Sequence, residues 1–120
     1  MAIIGIDHVQ LTMPAGQEAS ARAFYGGTLE LQEIPKPPDL ARRGGVWFAG
    51  VGINVHVSVE RDFRPATKAH PAFIVDDLAA VVARLAAHGA PITHDVPIAG
   101  WQRAFTADPF GNRIELLQPN

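Results

Sequence analysis

The sequence predicts an α+β fold built from two copies of one βαβββ module. Three observations predict it. The order strand, helix, strand, strand, strand can be read twice along the 120 residues. Two turn-and-strand stretches, Gly50–Val59 and Asp108–Gln118, each place a glycine four residues ahead of a potential metal ligand: Gly52 before His56, and Gly111 before Glu115. A histidine also opens each half, His8 in the first and His70 in the second. Aligned by element, His8 falls on His70 (offset 62) and His56 on Glu115 (offset 59). An internal repeat of this kind has to be recognised early, because it decides the fold.

The first strand is expected over Ile3–Met13. A strand alternates with period two, so His8, Gln10 and Thr12 share a face opposite Val9, Leu11 and Met13. Pro14-Ala15-Gly16 breaks the strand, and Gln17–Tyr25 reads as a helix stopped by Gly26-Gly27. A strand over Thr28–Ile34 ends at Pro35-Lys36-Pro37-Pro38, and Asp39–Gly45 is a loop containing Gly and Arg. Val46–Ala49 and Ile53–Val59 form a hairpin joined through Gly50-Val51-Gly52. On its second strand Asn54, His56 and Ser58 face away from the apolar Ile53, Val55, Val57 and Val59.

Residues 61–69, polar and holding Pro65, connect module one (about 1–60) to module two (70–120) within one domain. His70–Val75 is a strand, with Pro71 tolerated near its start. Asp76 or Asp77 caps a helix reaching His88, whose Leu78, Val81, Val82 and Leu85 fall at i, i+3, i+4 and i+7. Gly89 ends that helix, and Ile92–Val96 is a short strand. Trp101–Ala107 then pairs with Asn112–Gln118 through Asp108-Pro109-Phe110-Gly111, which fits a type I turn.

Composition narrows the function classes. Hydrophobic content of 48% and charged content of 18% belong to a chain that can bury a core. The net charge is −2, with no basic block, so nucleic-acid binding is not expected. Without cysteine there can be no disulfide, thiolate metal site or Cys nucleophile. Residues 1–7 lack a basic n-region, and no stretch approaches the roughly 18 apolar residues of a membrane span, so a soluble cytoplasmic protein is expected.

The duplication selects His8, His56, His70 and Glu115 as candidate metal ligands. Three imidazoles and one carboxylate suit a borderline divalent ion (Zn, Ni, Co, Fe or Mn), and four protein ligands leave positions open for a small-molecule substrate. Glu115 and His56 are also the candidates for proton transfer, as groups able to work as acid or base. Gln10, Trp47, Trp101, Arg103 and Phe105 are candidate substrate contacts, joined by Phe48 as a possible wall of the cavity. Arg103 alternates in phase with Trp101 and Phe105, which would let it hold an anionic substrate group. His88, His94 and Tyr25 read as structural or surface residues.

Ile6-Asp7-His8-Val9, Ala23-Phe24-Tyr25, His70 to Leu78 and Asp108 to Leu117 resemble the vicinal oxygen chelate superfamily of glyoxalase I, bleomycin and fosfomycin resistance proteins, extradiol dioxygenases and methylmalonyl-CoA epimerase. The resemblance spans nearly the whole chain. It implies tandem βαβββ modules forming a curved, barrel-like mixed sheet around a central metal-containing cavity, commonly in a homodimer. It places the ligands on His8, His56, His70 and Glu115. Glyoxalase I generally has a carboxylate where this chain has His56. Extradiol dioxygenases use two histidines and a glutamate, matching His8, His70 and Glu115. Fosfomycin-modifying enzymes usually carry Thr where this chain has Gln10, and bleomycin-binding relatives lack the ligands. The expected function is a metal-dependent lyase or isomerase, or a ring-cleaving dioxygenase, with a drug- or metabolite-sequestering protein as the alternative.

Overall fold

A computed structural model describes residues 1–120. The chain divides into two compact units, Met1–Arg64 and Pro65–Asn120. Each is a sheet of mixed strand direction backed by a helix, so the class is α+β.

In the first unit the strands β1 (Val9–Met13), β2 (Gln32–Ile34), β3 (Val46–Gly50) and β4 (Ile53–Val59) form a sheet in the order β1-β4-β3-β2. β1 and β4 run parallel, and the other two pairs are antiparallel. The parallel pair requires a long crossover, which the helix and the β2–β3 segment supply. Val55, Val57, Phe48 and Met13 are fully buried, as the alternation of apolar residues on these strands requires.

The first expected strand is shorter than its sequence suggests. Continued upstream, the β1–β4 register sets Asp7 opposite Ile53, where β4 begins, so residues 1–6 have no strand to pair with. The Asn54 amide instead donates to the Asp7 carbonyl (3.2 Å), and Ile3, Ile4 and Ile6 are exposed. The helix also differs from expectation. α1 (Glu18–Ala21) widens into a π-helical stretch over Arg22–Thr28, with Leu29 N–H bonded to the Phe24 carbonyl, so Gly26-Gly27 does not stop it. The wider turn buries the consecutive Phe24 and Tyr25 together, and Tyr25 packs against Phe48 (5.7 Å between ring centroids). Burial of such side chains contributes about 2–3 kcal/mol each. The predicted strand over Thr28–Ile34 narrows to its last three residues, and the predicted Asp39–Gly45 loop starts inside a helical turn, α2 (Pro38–Ala41), with Pro at its first position.

In the second unit β5 (Ala72–Ile74), β6 (Trp101–Ala107) and β7 (Arg113–Pro119) are ordered β5-β7-β6, with α3 (Leu78–Ala87) between β5 and β6. β5–β7 is parallel and β6–β7 antiparallel, the same pattern as β1–β4 and β3–β4. The Asp77 carboxylate accepts from Ala80 N–H as the cap of α3, and Leu78, Val81 and Leu85 bury the predicted stripe. The predicted Ile92–Val96 strand is reduced to one bridge, Thr93 with Phe105. Pro91 and Pro97 flank it, and Val96 gives its N–H to the Asp95 side chain and its carbonyl to Arg103, leaving no ladder to extend.

The Asp108–Asn112 turn is built as expected. Gly111 N–H bonds to the Asp108 carbonyl, and the Asp108 carboxylate accepts from the N–H groups of Phe110 and Asn112 and from the Asn112 amide. Gly111 (φ +91°) and its counterpart Gly52 (φ +68°) hold the left-handed backbone that each turn into β7 or β4 needs.

Candidate functional site

The first unit presents a row of side chains across one face of its sheet. Register sets Gln10 opposite His56, His56 opposite Trp47 and Trp47 opposite Ile34. His8, just ahead of β1, stacks on His56 with ring centroids 4.0 Å apart, and Trp47 stacks on it at 3.9 Å and 3°. His56 is thus sandwiched between an imidazole and an indole and is only 7% exposed. Burial, reinforced by the nearby His8, lowers its pKa and favours the neutral ring. No hydrogen bond within the chain engages either of its nitrogens, yet neither is sealed from solvent-sized space. His56 lines a cavity of about 540 Å³ together with His8, Gln10, Asn54, Trp47 and Arg43.

The second unit repeats the row with different chemistry: Ala72, Glu115, Phe105 and Thr93 lie side by side. Glu115, 7% exposed, receives His70 Nε2 on Oε1 (2.8 Å) and Arg103 Nε on Oε2 (2.7 Å). Burial raises the pKa of this carboxyl, but the hydrogen bonds from His70 and Arg103 and the Arg103 charge outweigh it. The net effect holds Glu115 below the usual carboxylate range, ionised. Arg103 also donates to the Val96 carbonyl (2.6 Å), and its guanidinium lies 4.8 Å from the Phe105 ring centroid, while Arg113 covers that ring at 4.0 Å.

The two donor pairs are equivalent by register. In the first unit the residue opposite His8 would be Asn54, two before His56; in the second the residue opposite His70 would be Arg113, two before Glu115. Each pair meets diagonally across a parallel strand pair.

The donor set fits a divalent metal in chemical type. His70 shows the fit most directly, because Nδ1 faces the Lys68 carbonyl (3.0 Å) while Nε2 faces a carboxylate oxygen. An N–H on the carbonyl side would fix the ring and leave the Nε2 lone pair for a cation, the arrangement of a metal-ligating histidine. Two acceptors facing one ring require a cation between Nε2 and Oε1, either a proton or a metal. In neither unit do three or more His, Asp or Glu side chains converge on one point.

The other predicted residues divide. Gln10 and Trp47 line the first unit's cavity. Phe48 points to the opposite face and is fully buried in the core, as is Tyr25. Trp101, Arg103 and Phe105 share a face of β6, but Arg103 is committed to Glu115 and Val96, so the anion-holding role expected of it is already occupied by a carboxylate. His88 and His94 are exposed, and His88 Nδ1 bonds only to the Arg84 carbonyl of its own helix. Sequence reasoning missed Arg43, which borders this cavity, and Lys36, which lines a smaller one beside it together with Arg43; both precede β3. The available signal was three basic residues, Lys36, Arg42 and Arg43, set in a Pro- and Gly-rich stretch leading directly to Trp47.

Residues 5–116 match the family model of the Glyoxalase/Bleomycin resistance protein/Dioxygenase superfamily. A glyoxalase family protein from Bacillus anthracis is 43% identical, with a TM-score of 0.94 over 100% of this chain and 98% of that one. The fosfomycin resistance protein FosX from Listeria monocytogenes is 17% identical (TM-score 0.76, covering 98% and 95% of the two chains). TnmS3, an antibiotic binding protein from Streptomyces sp. CB03234, is 24% identical (TM-score 0.71, covering 100% and 99%). The last two likenesses are of fold alone. No curated protein matches this sequence. No helix is long and apolar enough to cross a membrane.

Proposed function

Because the chain belongs to the glyoxalase/bleomycin resistance protein/dioxygenase superfamily, we propose that it is a metal-dependent enzyme acting on a small substrate with two neighbouring oxygens. The proposed ligands are His8, His56, His70 and Glu115. The observation that carries the reading is the His70–Glu115 contact, with a carbonyl on Nδ1 and a carboxylate oxygen 2.8 Å from Nε2. A divalent cation held there would supply Lewis acidity toward a substrate oxygen.

The chain's own groups supply the rest. The neutral state of His56 and its place in the cavity lining support its proposed role as the group that takes up a substrate proton. Arg103 fixes the Glu115 carboxylate through Oε2, and Glu115 with His70 would hold the cation. Trp47 and Gln10 wall the cavity where substrate would lie. Proton transfer of lyase or isomerase type and ring-cleaving dioxygenation both follow from such a site, and only the second consumes O₂.

One observation favours a second reading, a protein that sequesters a drug or metabolite. Both oxygens of Glu115 already have partners, so the carboxylate is satisfied without any metal. The experiment that separates the two loads the purified protein with Zn, Ni, Co, Fe(II) or Mn(II). It then assays α-hydroxy carbonyl compounds and catechols with and without O₂. Turnover abolished by chelation is the expected result. Tight ligand binding that survives the chelator, with no turnover under any metal, overturns the enzyme reading in favour of the second.

A further inference from the structure

Beside the 540 Å³ cavity lies a second of about 270 Å³, and the two share Gln10, Leu40, Arg43 and Trp47. The smaller one is lined by two cations, Lys36 and Arg43, together with the Ser58 hydroxyl and the Gln10 amide, and by no carboxylate. Trp47 and Leu40 supply its apolar wall.

The charges around it are unequally satisfied. The Lys36 ammonium donates to the Gly44 carbonyl, and the ionised Glu18, which accepts Gly45 N–H (2.9 Å), partly offsets its charge. Asp7, the one carboxylate bordering the larger cavity, is engaged by His8 Nδ1 (2.8 Å). Arg43 stands apart. Its backbone N–H is fixed on the Leu40 carbonyl, at the end of α2, but no hydrogen bond or ion pair engages its guanidinium. An uncommitted guanidinium, with a second cation, a hydroxyl and an amide around one concavity, matches the donor set that a carboxylate or phosphoryl group takes.

We infer that this cavity is the recognition site for an anionic group on the ligand, with Arg43 as its anchor and Lys36, Ser58 and Gln10 as additional donors. The ligand class is a small molecule carrying a carboxylate or a phosphoryl group joined to a flat or apolar part that rests on Trp47 and Leu40. The inference rests on the proposed function only in taking the adjoining His8- and His56-lined cavity as the place of chemistry. It gives to Arg43 the role that sequence reasoning had assigned to Arg103.

The test uses the full chain in the presence of a chelator, so that its outcome does not depend on metal. Benzoate, phenylphosphonate and the uncharged benzamide are titrated while the Trp47 indole N–H resonance is followed. Either anion should shift that resonance and bind about tenfold more tightly than benzamide. Arg43→Gln should weaken anion binding about tenfold and leave benzamide unchanged, with partial recovery in Arg43→Lys. Stronger binding of benzoate assigns a carboxylate ligand, and stronger binding of phenylphosphonate a phosphoryl one. Equal binding of anions and benzamide, shifts confined to resonances other than Trp47, or full affinity in Arg43→Gln overturns the inference. A chain that binds no metal but passes this test would overturn the proposed enzyme and leave the anion site standing.

Discussion

The rows Gln10–His56–Trp47–Ile34 and Ala72–Glu115–Phe105–Thr93 occupy the same backbone positions in the two units. Their chemistry is opposite. The first is held by ring stacking around a neutral imidazole with no hydrogen-bond partner; the second is held by charge, with one carboxylate between an imidazole and a guanidinium. The same diagonal contact occurs in both units, His8 with His56 and His70 with Glu115, while the forces inside each pair differ. One unit therefore offers a neutral imidazole, that of His56, beside an aromatic wall, and the other an ionised carboxylate paired with a guanidinium.

Substitution separates the two halves most sharply. Glu115→Ala leaves Arg103 and His70 facing each other in a mostly buried setting, and should cost about 3 kcal/mol in urea unfolding. His56→Ala removes a stacked ring and no charge partner. Beyond its lost burial, a double-mutant cycle with Trp47→Ala should return a coupling of only about 0.5–1.5 kcal/mol. Equal costs at the two positions would break the contrast between a charged and a stacked row.

Acid should distinguish them by pH window. The folded-state pKa of His56 is lowered, so the unfolded chain binds more protons there; stability falls as pH drops through the ordinary histidine range near about 6.5 and on toward the depressed value. Glu115 is also lowered, so its contribution is fully present above the ordinary carboxylate pKa of about 4.3 and is lost only as pH falls below that. Thermal melts should show two steps of acid sensitivity, with the upper one weakened by His56→Gln and the lower one by Glu115→Gln. A single step untouched by His56→Gln would contradict the neutral, buried state of that ring.

Much of this was legible in the sequence, because period-two alternation and the Gly52/His56 and Gly111/Glu115 spacing fix both register and face. The α3 cap at Asp77 and the Asp108 turn were equally legible, being local side-chain to backbone bonds. What escaped depends on partners distant in sequence. Ile3–Ile6 has strand-forming residues but no strand opposite it, and Ile92–Val96 loses its ladder to Asp95 and Arg103. The π-helical turn at Arg22–Thr28 is set by the need to bury Phe24 and Tyr25 together. Arg103 reads as an anion-holding residue because its phase on β6 carries no mark of Glu115, the carboxylate it meets on β7, and Arg43 reads as one of the arginines of a Gly-containing loop because nothing local marks a cavity beside it.

The claim most open to test is the proposal that this chain holds a divalent metal ion through the proposed ligands His8, His56, His70 and Glu115. Metal content per chain, measured by mass spectrometry on purified untagged protein beside His8→Ala, His70→Ala, Glu115→Gln and His56→Ala, tests it most directly. The account predicts about one divalent ion per chain in the wild type, lost in the first three variants; loss in His56→Ala as well makes His56 a fourth ligand, and retention there makes it the acid–base group instead. A wild-type chain that takes up no metal after reconstitution, or a Glu115→Gln variant that keeps a full complement, would contradict it.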